Sequence, residues 1–186
     1  MPMRLAALFA FAAALPAASL RYWVSPCTRP ETGCRPADTE LADWAMQAWQ
    51  TASHGALTLE RTTDRNKAQI RINWVSGQEG LYGEARPINV DGVQGAEVYV
   101  LPPETRASDD LLRETIVYLT CLHETGHALG LPHTAAFADI MYSFQYGGDI
   151  PEYFARYRRR LKIRADIRKN SGMSEEDQHH LIELYR

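Results

Sequence analysis

No segment beyond the N-terminus approaches the roughly 20 consecutive apolar residues that a membrane-spanning helix requires, so a permanent bilayer crossing is not expected. Internal repeats are absent too. Cysteine is scarce, with three in the chain, and none follows the small residues at positions 17–19, so a lipid anchor there has no support. Charge of one sign is not in excess: the net charge is −3, and that small sum hides a basic run of Arg156, Arg158, Arg159, Arg160, Lys162, Arg164, Arg168 and Lys169. What is present suits one globular domain with one core: 186 residues, 45% of them apolar and 23% charged.

Arg4, the apolar run over residues 5–15 and the small residues Ala17, Ala18 and Ser19 read as a secretory signal over residues 1–19, with Ala17 and Ser19 at cleavage spacing. The mature domain is then residues 20–186, exterior or periplasmic. In that oxidising setting Cys27 and Cys34, close together in a stretch rich in Pro and Gly, are expected to form a disulfide. Cys121 is left over and must be buried, intermolecular or reactive.

Alternation at Leu20, Tyr22 and Val24 marks a first strand. Leu41, Trp44, Ala45, Ala48, Trp49 and Ala52 recur at helical spacing, after Asp38 as a candidate N-cap and before Gly55 as a stop. Leu57 and Leu59 suggest a second strand; Ala68, Ile70, Ile72 and Trp74 make a clearer third. Residues 76–95, punctuated by glycines and Pro87, read as a long surface loop with room for one short strand, before alternation returns at Ala96, Val98 and Val100. Ser108, Asp109 and Asp110 open a helix expected to run to Gly130, and Ser174 with Asp177 forms a capping box for a last helix.

The long central helix ends in His123-Glu124-Thr125-Gly126-His127-Ala128-Leu129-Gly130-Leu131-Pro132-His133. Four helical residues rotate by about 400°, so His123 and His127 stand one turn apart on one face and can share an ion. A third ligand needs the chain to turn back, which Gly130 permits by accepting positive φ, and His133 is delivered by that turn. Three neutral nitrogens leave the fourth tetrahedral position of Zn2+ open to water, as in a catalytic site; a structural site would fill it with a protein ligand. Glu124, beside the first ligand, is placed to take the proton of that water, and amide hydrolysis follows as the natural reaction. Cys121 lies about 200° around the helix from the ligands and is expected in the core.

This string, with Met141 in Asp139-Ile140-Met141-Tyr142 eight residues past His133, resembles that of the metzincin zinc metalloproteases. Thr134 after the third His is similar to the usual Ser of matrixins, where astacins place Glu and adamalysins Asp. The order of elements over residues 20–186 agrees. The resemblance implies an α+β fold: a twisted, mostly parallel sheet with an antiparallel edge strand, three main helices and a small C-terminal subdomain. It also implies that Met141 forms an apolar floor under the histidines, and that a peptide or protein substrate lies extended along an edge strand, here assigned to residues 95–101. The departures matter as well. Residues 76–100 hold no His, so a second, structural zinc is not expected; Asp91 is a candidate calcium contact, but Asp91-Gly92 reads better as a turn. No pro-region is expected, no Pro-Arg-Cys-Gly latch occurs, and Cys34 resembles one only superficially. A tyrosine ligand is not expected, because Ser143 holds the place two beyond Met141. His54, His179 and His180 have no ligand spacing to the motif.

Residues 152–169 read as an insertion, with Phe154, Tyr157, Leu161 and Ala165 on one helical stripe and basic residues around it. The plainer interpretation is a packed helix with a solvated surface; the functional one is a contact for acidic substrate or a membrane surface. The expected protein is a secreted, monomeric zinc metalloendopeptidase without nucleic-acid partners. The alternative is a secreted zinc-binding interaction module using the basic helix, which would have no need of Glu124.

Overall fold

The computed structural model describes residues 17–77, 82–103 and 109–186. The expected secretory segment up to residue 16 and the expected cap Ser108 lie outside them. Elements follow in the order β1 (Ala18–Val24), α1 (Asp38–Ala52), β2 (Leu57–Arg61), β3 (Ile70–Trp74), β4 (Gly83–Val90), β5 (Val93–Val100), α2 (Asp110–Ala128), α3 (Ile150–Arg158) and α4 (Glu175–Tyr185). The strands form one sheet in the order β2-β1-β3-β5-β4, parallel except for β4, which runs antiparallel to β5. The fold is α+β. No helix among the described residues is long and apolar enough to cross a membrane.

Period-two alternation places Leu20, Tyr22, Ile70, Ile72, Val98 and Val100 on the sheet face that α1 and α2 cover, and all are buried. Trp49, fully buried on α1, donates from Nε1 to Leu122 O (3.0 Å) and Thr125 Oγ1 (3.1 Å), which ties α1 to the middle of α2. At the start of α1, Asp38 departs from expectation. The N-cap is Ala37, and Asp38 is the first helical residue, its carboxylate taken by the buried Arg113 of α2 in a two-pronged pair at 2.7 Å and by the Arg35 amide. Burial without that partner would be costly for either charge, so the pair fixes the helices' relative register. Cys27 and Cys34 are disulfide-bonded, and Arg113 also donates to Gly33 O inside their loop. Cys121 is free and fully buried.

The stretch read as a surface loop contains β4, an eight-residue strand joined to β5 by Asp91-Gly92, both at positive φ as a tight hairpin turn demands. Gly83 and Pro87 looked like loop punctuation, but an edge strand tolerates both, because one side of its ladder is free. The same topology corrects the edge assigned to residues 95–101: residues 95–100 belong to β5, which is internal, and the strand at that end of the sheet is β4.

Residues 152–169 are not one helix either. α3 stops at Arg158, the chain turns so that Leu161 enters the core, and the Asp166 carboxylate accepts from the Lys162 and Ile163 amides to start a separate 3-10 turn over Arg164–Lys169. Ile167, not Ala165, is the buried residue of that turn. Much of the basic charge is paired: Arg158 with Asp109, Arg159 with Glu152, and Arg164 with Glu114 and Glu40.

Candidate metal centre and cleft

α2 is N-capped by Asp109, whose side chain accepts from the Leu112 amide (3.0 Å), and ends at Ala128, just before Gly130, which has φ 98°. Past that turn the Leu131 amide reaches back to Gly126 O (3.0 Å), so His133 returns toward the helix. His123, His127 and His133 come together: Nε2 of His133 lies 3.3 Å from Nε2 of His123 and 3.0 Å from Nε2 of His127. Nitrogens bound tetrahedrally to zinc at about 2.0–2.1 Å stand roughly 3.3 Å apart, so the spacing fits that ion.

The opposite ring nitrogens explain the orientation. Nδ1 of His123 lies 2.6 Å from Ile140 O, and Nδ1 of His127 lies 2.9 Å from Leu131 O. A carbonyl oxygen only accepts, so both Nδ1 atoms carry the proton and both Nε2 atoms present a lone pair to the shared point. Burial pushes His123 down to about 4, against the hydrogen bond to Ile140, and keeps the ring neutral as a ligand must be. Burial lowers His133 as well, with His127 adding to the effect.

Met141 is buried, and the Thr134 amide donates to Met141 O while the Ser143 amide returns to Thr134 O. Two supports here were not read from the sequence. Gly126 has no room for a side chain: a Cβ would overlap Met141 Sδ and lie 2.9 Å from Trp49. Asp177, recognised as the capping residue of α4, also accepts from the Ile140 amide (2.8 Å) and the Met141 amide (3.3 Å), so one buried carboxylate caps a helix and grips the turn that holds His123. Of the other histidines, His179 and His180 pair with Glu183 and Glu176 along α4.

Glu124 is 7% exposed at the inner end of a cleft of about 400 Å³ that also reaches the three histidines. No described residue donates to its carboxylate. The strand above can approach because residue 83 is Gly; a Cβ there would stand 2.6 Å from Glu124 Cγ and 2.8 Å from Thr120 Cγ2. Among the protein's own groups, burial pushes Glu124 up to about 8 and the Glu84 carboxylate adds to it; the charge of a bound dication would act the other way. Tyr142 is buried beside the cleft with its hydroxyl on Gly147 O (2.7 Å). None of Arg158, Arg159 and Arg160 lines the cleft.

A mixed sheet laid over a helix that ends in three converging imidazoles defines the class of zinc metallopeptidases. The chain belongs to the matrixin family, whose sequence pattern matches residues 17–152. A search of curated proteins gave no significant match. The family match stops within α3, although the resemblance in element order had reached residue 186, so most of α3 and all of α4 lie beyond it.

Proposed function

We propose that this protein is a secreted, monomeric zinc metalloendopeptidase in which Glu124 is the general base. His123, His127 and His133 would hold the ion, which when bound supplies a polarised water and a positive charge for the developing oxyanion. The observation that carries the reading is Glu124: a buried carboxylate with no partner among the described residues, in a cleft beside three converging imidazoles, is poised for proton transfer. It would accept the proton of the attacking water and hand it to the leaving amine. The free edge of β4 offers unpaired amides and carbonyls to an extended peptide, while Tyr142 and its neighbours wall the opposite side. Secretion rests on Arg4, the apolar run behind it and the small residues at 17–19, and the Cys27–Cys34 disulfide suits an oxidising compartment.

The test is cleavage of a mixed peptide library by the chain from residue 17 onward, with zinc determined, beside Glu124→Ala. Wild type is expected to cut at internal bonds, and the variant to keep its zinc and lose about 10²–10⁴ in rate. Zinc in both proteins and cutting by neither would hand the site to a non-catalytic binding role.

A further inference from the structure

The ion pairs of the basic run leave out two arginines. Arg156 and Arg160 stand one turn apart on α3 and the turn that ends it, and neither is within ion-pair distance of a carboxylate among the described residues. Arg156 is half-buried: it lies over the rings of Tyr153 (4.4 Å) and Phe137 (5.1 Å), and its Nη2 donates to Ala138 O (3.2 Å). Arg160 is exposed, and its guanidinium makes no hydrogen bond among the described residues. Glu152 feels Arg156 through space, but its carboxylate is hydrogen-bonded to Arg159.

Both arginines line a second cavity, of about 140 Å³, between α3 and residues 172–174. It shares Leu119 and Tyr153 with the cleft, but neither the three histidines nor Glu124 reaches it. Its floor is apolar: Leu119, Ile140, Tyr153 and Tyr157 are all buried. No acidic side chain lines it. The acids at the start of α4 are either engaged or solvated, since Asp177 accepts from the Ile140 and Ser174 amides while Glu175 and Glu176 are exposed.

Two cations over an apolar floor select for a ligand with two parts. A planar guanidinium presents paired N–H donors that match the oxygens of a carboxylate. The floor offers little to a fully hydrated ion, whose burial there is costly, but it gains from covering carbon. The volume falls well below the roughly 300–1,000 Å³ of sites for larger ligands, so the body must be compact. We propose that this cavity is a second ligand site, which binds a small organic carboxylate: Arg156 and Arg160 hold the charge, and Leu119, Ile140 and Tyr157 cover the apolar body. The proposal does not depend on the peptidase reading, because none of these residues is a metal ligand or the general base.

The experiment titrates benzoate, benzyl alcohol and inorganic phosphate into the zinc-loaded chain from residue 17 onward and follows backbone amide shifts. Benzoate is expected to bind saturably and to move the amides of Gly172, Met173 and Ser174. Its affinity should exceed by about tenfold that of benzyl alcohol, which lacks the charge, and that of phosphate, which lacks the apolar body. Arg160→Gln alters an exposed side chain without a hydrogen-bond or ion-pair partner, so the unfolding midpoint should hold while benzoate weakens about tenfold. Arg160→Lys should recover only part of that loss, because an ammonium keeps the charge and not the fork. Carboxylates also ligate zinc: shifts confined to the surroundings of His123, His127 and His133, with Arg160→Gln binding as wild type does, overturn the site. Phosphate equal to benzoate overturns the organic-acid assignment, and benzyl alcohol equal to benzoate overturns the role of the arginines.

Discussion

The two sides of the cleft are held by different forces. On the metal side the fixing contacts are directional and buried: Nδ1 of His123 on Ile140 O, Nδ1 of His127 on Leu131 O, Asp177 on two amides of the turn, and Trp49 Nε1 on the backbone of α2. On the side where the substrate is proposed to lie, β4 has, among the described residues, a ladder along one edge only, and Tyr82 just before it meets Phe154 of α3 ring to ring. Hydrogen bonds set angles, which ligand atoms require within a few tenths of an ångström, whereas ring packing sets volume, which is what a substrate side chain reports. Damage on the first side should therefore appear as lost metal, and damage on the second as altered selectivity.

The largest expected effect that would break this division is at Asp177. Asp177→Ala strands the buried amides of Ile140 and Met141, for about 4 kcal/mol of lost stability, and should weaken zinc binding by about 10–100-fold. Denaturant unfolding and zinc titration measure both; unaltered zinc affinity would mean that the turn does not transmit to His123. Gly126→Ala forces Met141 or Trp49 to move and should cost about 1–3 kcal/mol, again with weaker metal binding and the same ranking of peptides that are still cut. A changed ranking would show that the packing of Met141 and Trp49 against Gly126 also shapes the cleft. The smallest effect belongs to Arg158→Ala, which removes a partly exposed pair with Asp109. Its unfolding midpoint and peptide ranking should match wild type, and a selective loss on acidic peptides would restore a direct role for the basic run.

The same division explains what could be read in advance. His123 and His127 one turn apart, Gly130 at the turn and Cys121 on the far face all follow from the geometry of one helix, so local spacing was sufficient. The capping box of Asp177 was legible for the same reason, but the Oδ2 that accepts from the Ser174 amide also serves an amide 37 residues away, which no local pattern encodes. Gly126 carried no reading of its own inside the motif, because the need for a missing side chain is visible only when Met141 and Trp49 are in place. β4 was hidden by Gly83 and Pro87, residues that signal a loop unless the strand has a free edge. α3 was overextended because the stripe through Leu161 and Ala165 continued on paper, while Asp166 offered its carboxylate to the Lys162 and Ile163 amides and ended the helical path.

The central claim is that three imidazoles hold one zinc and leave a place open. Zinc content together with zinc X-ray absorption, on wild type and His133→Ala, tests it most directly. The account predicts one zinc per wild-type chain, nitrogen and oxygen neighbours at about 2.0–2.1 Å with no sulfur, and loss of most of the metal in the variant. A sulfur neighbour near about 2.3 Å, or full occupancy retained without His133, would contradict it.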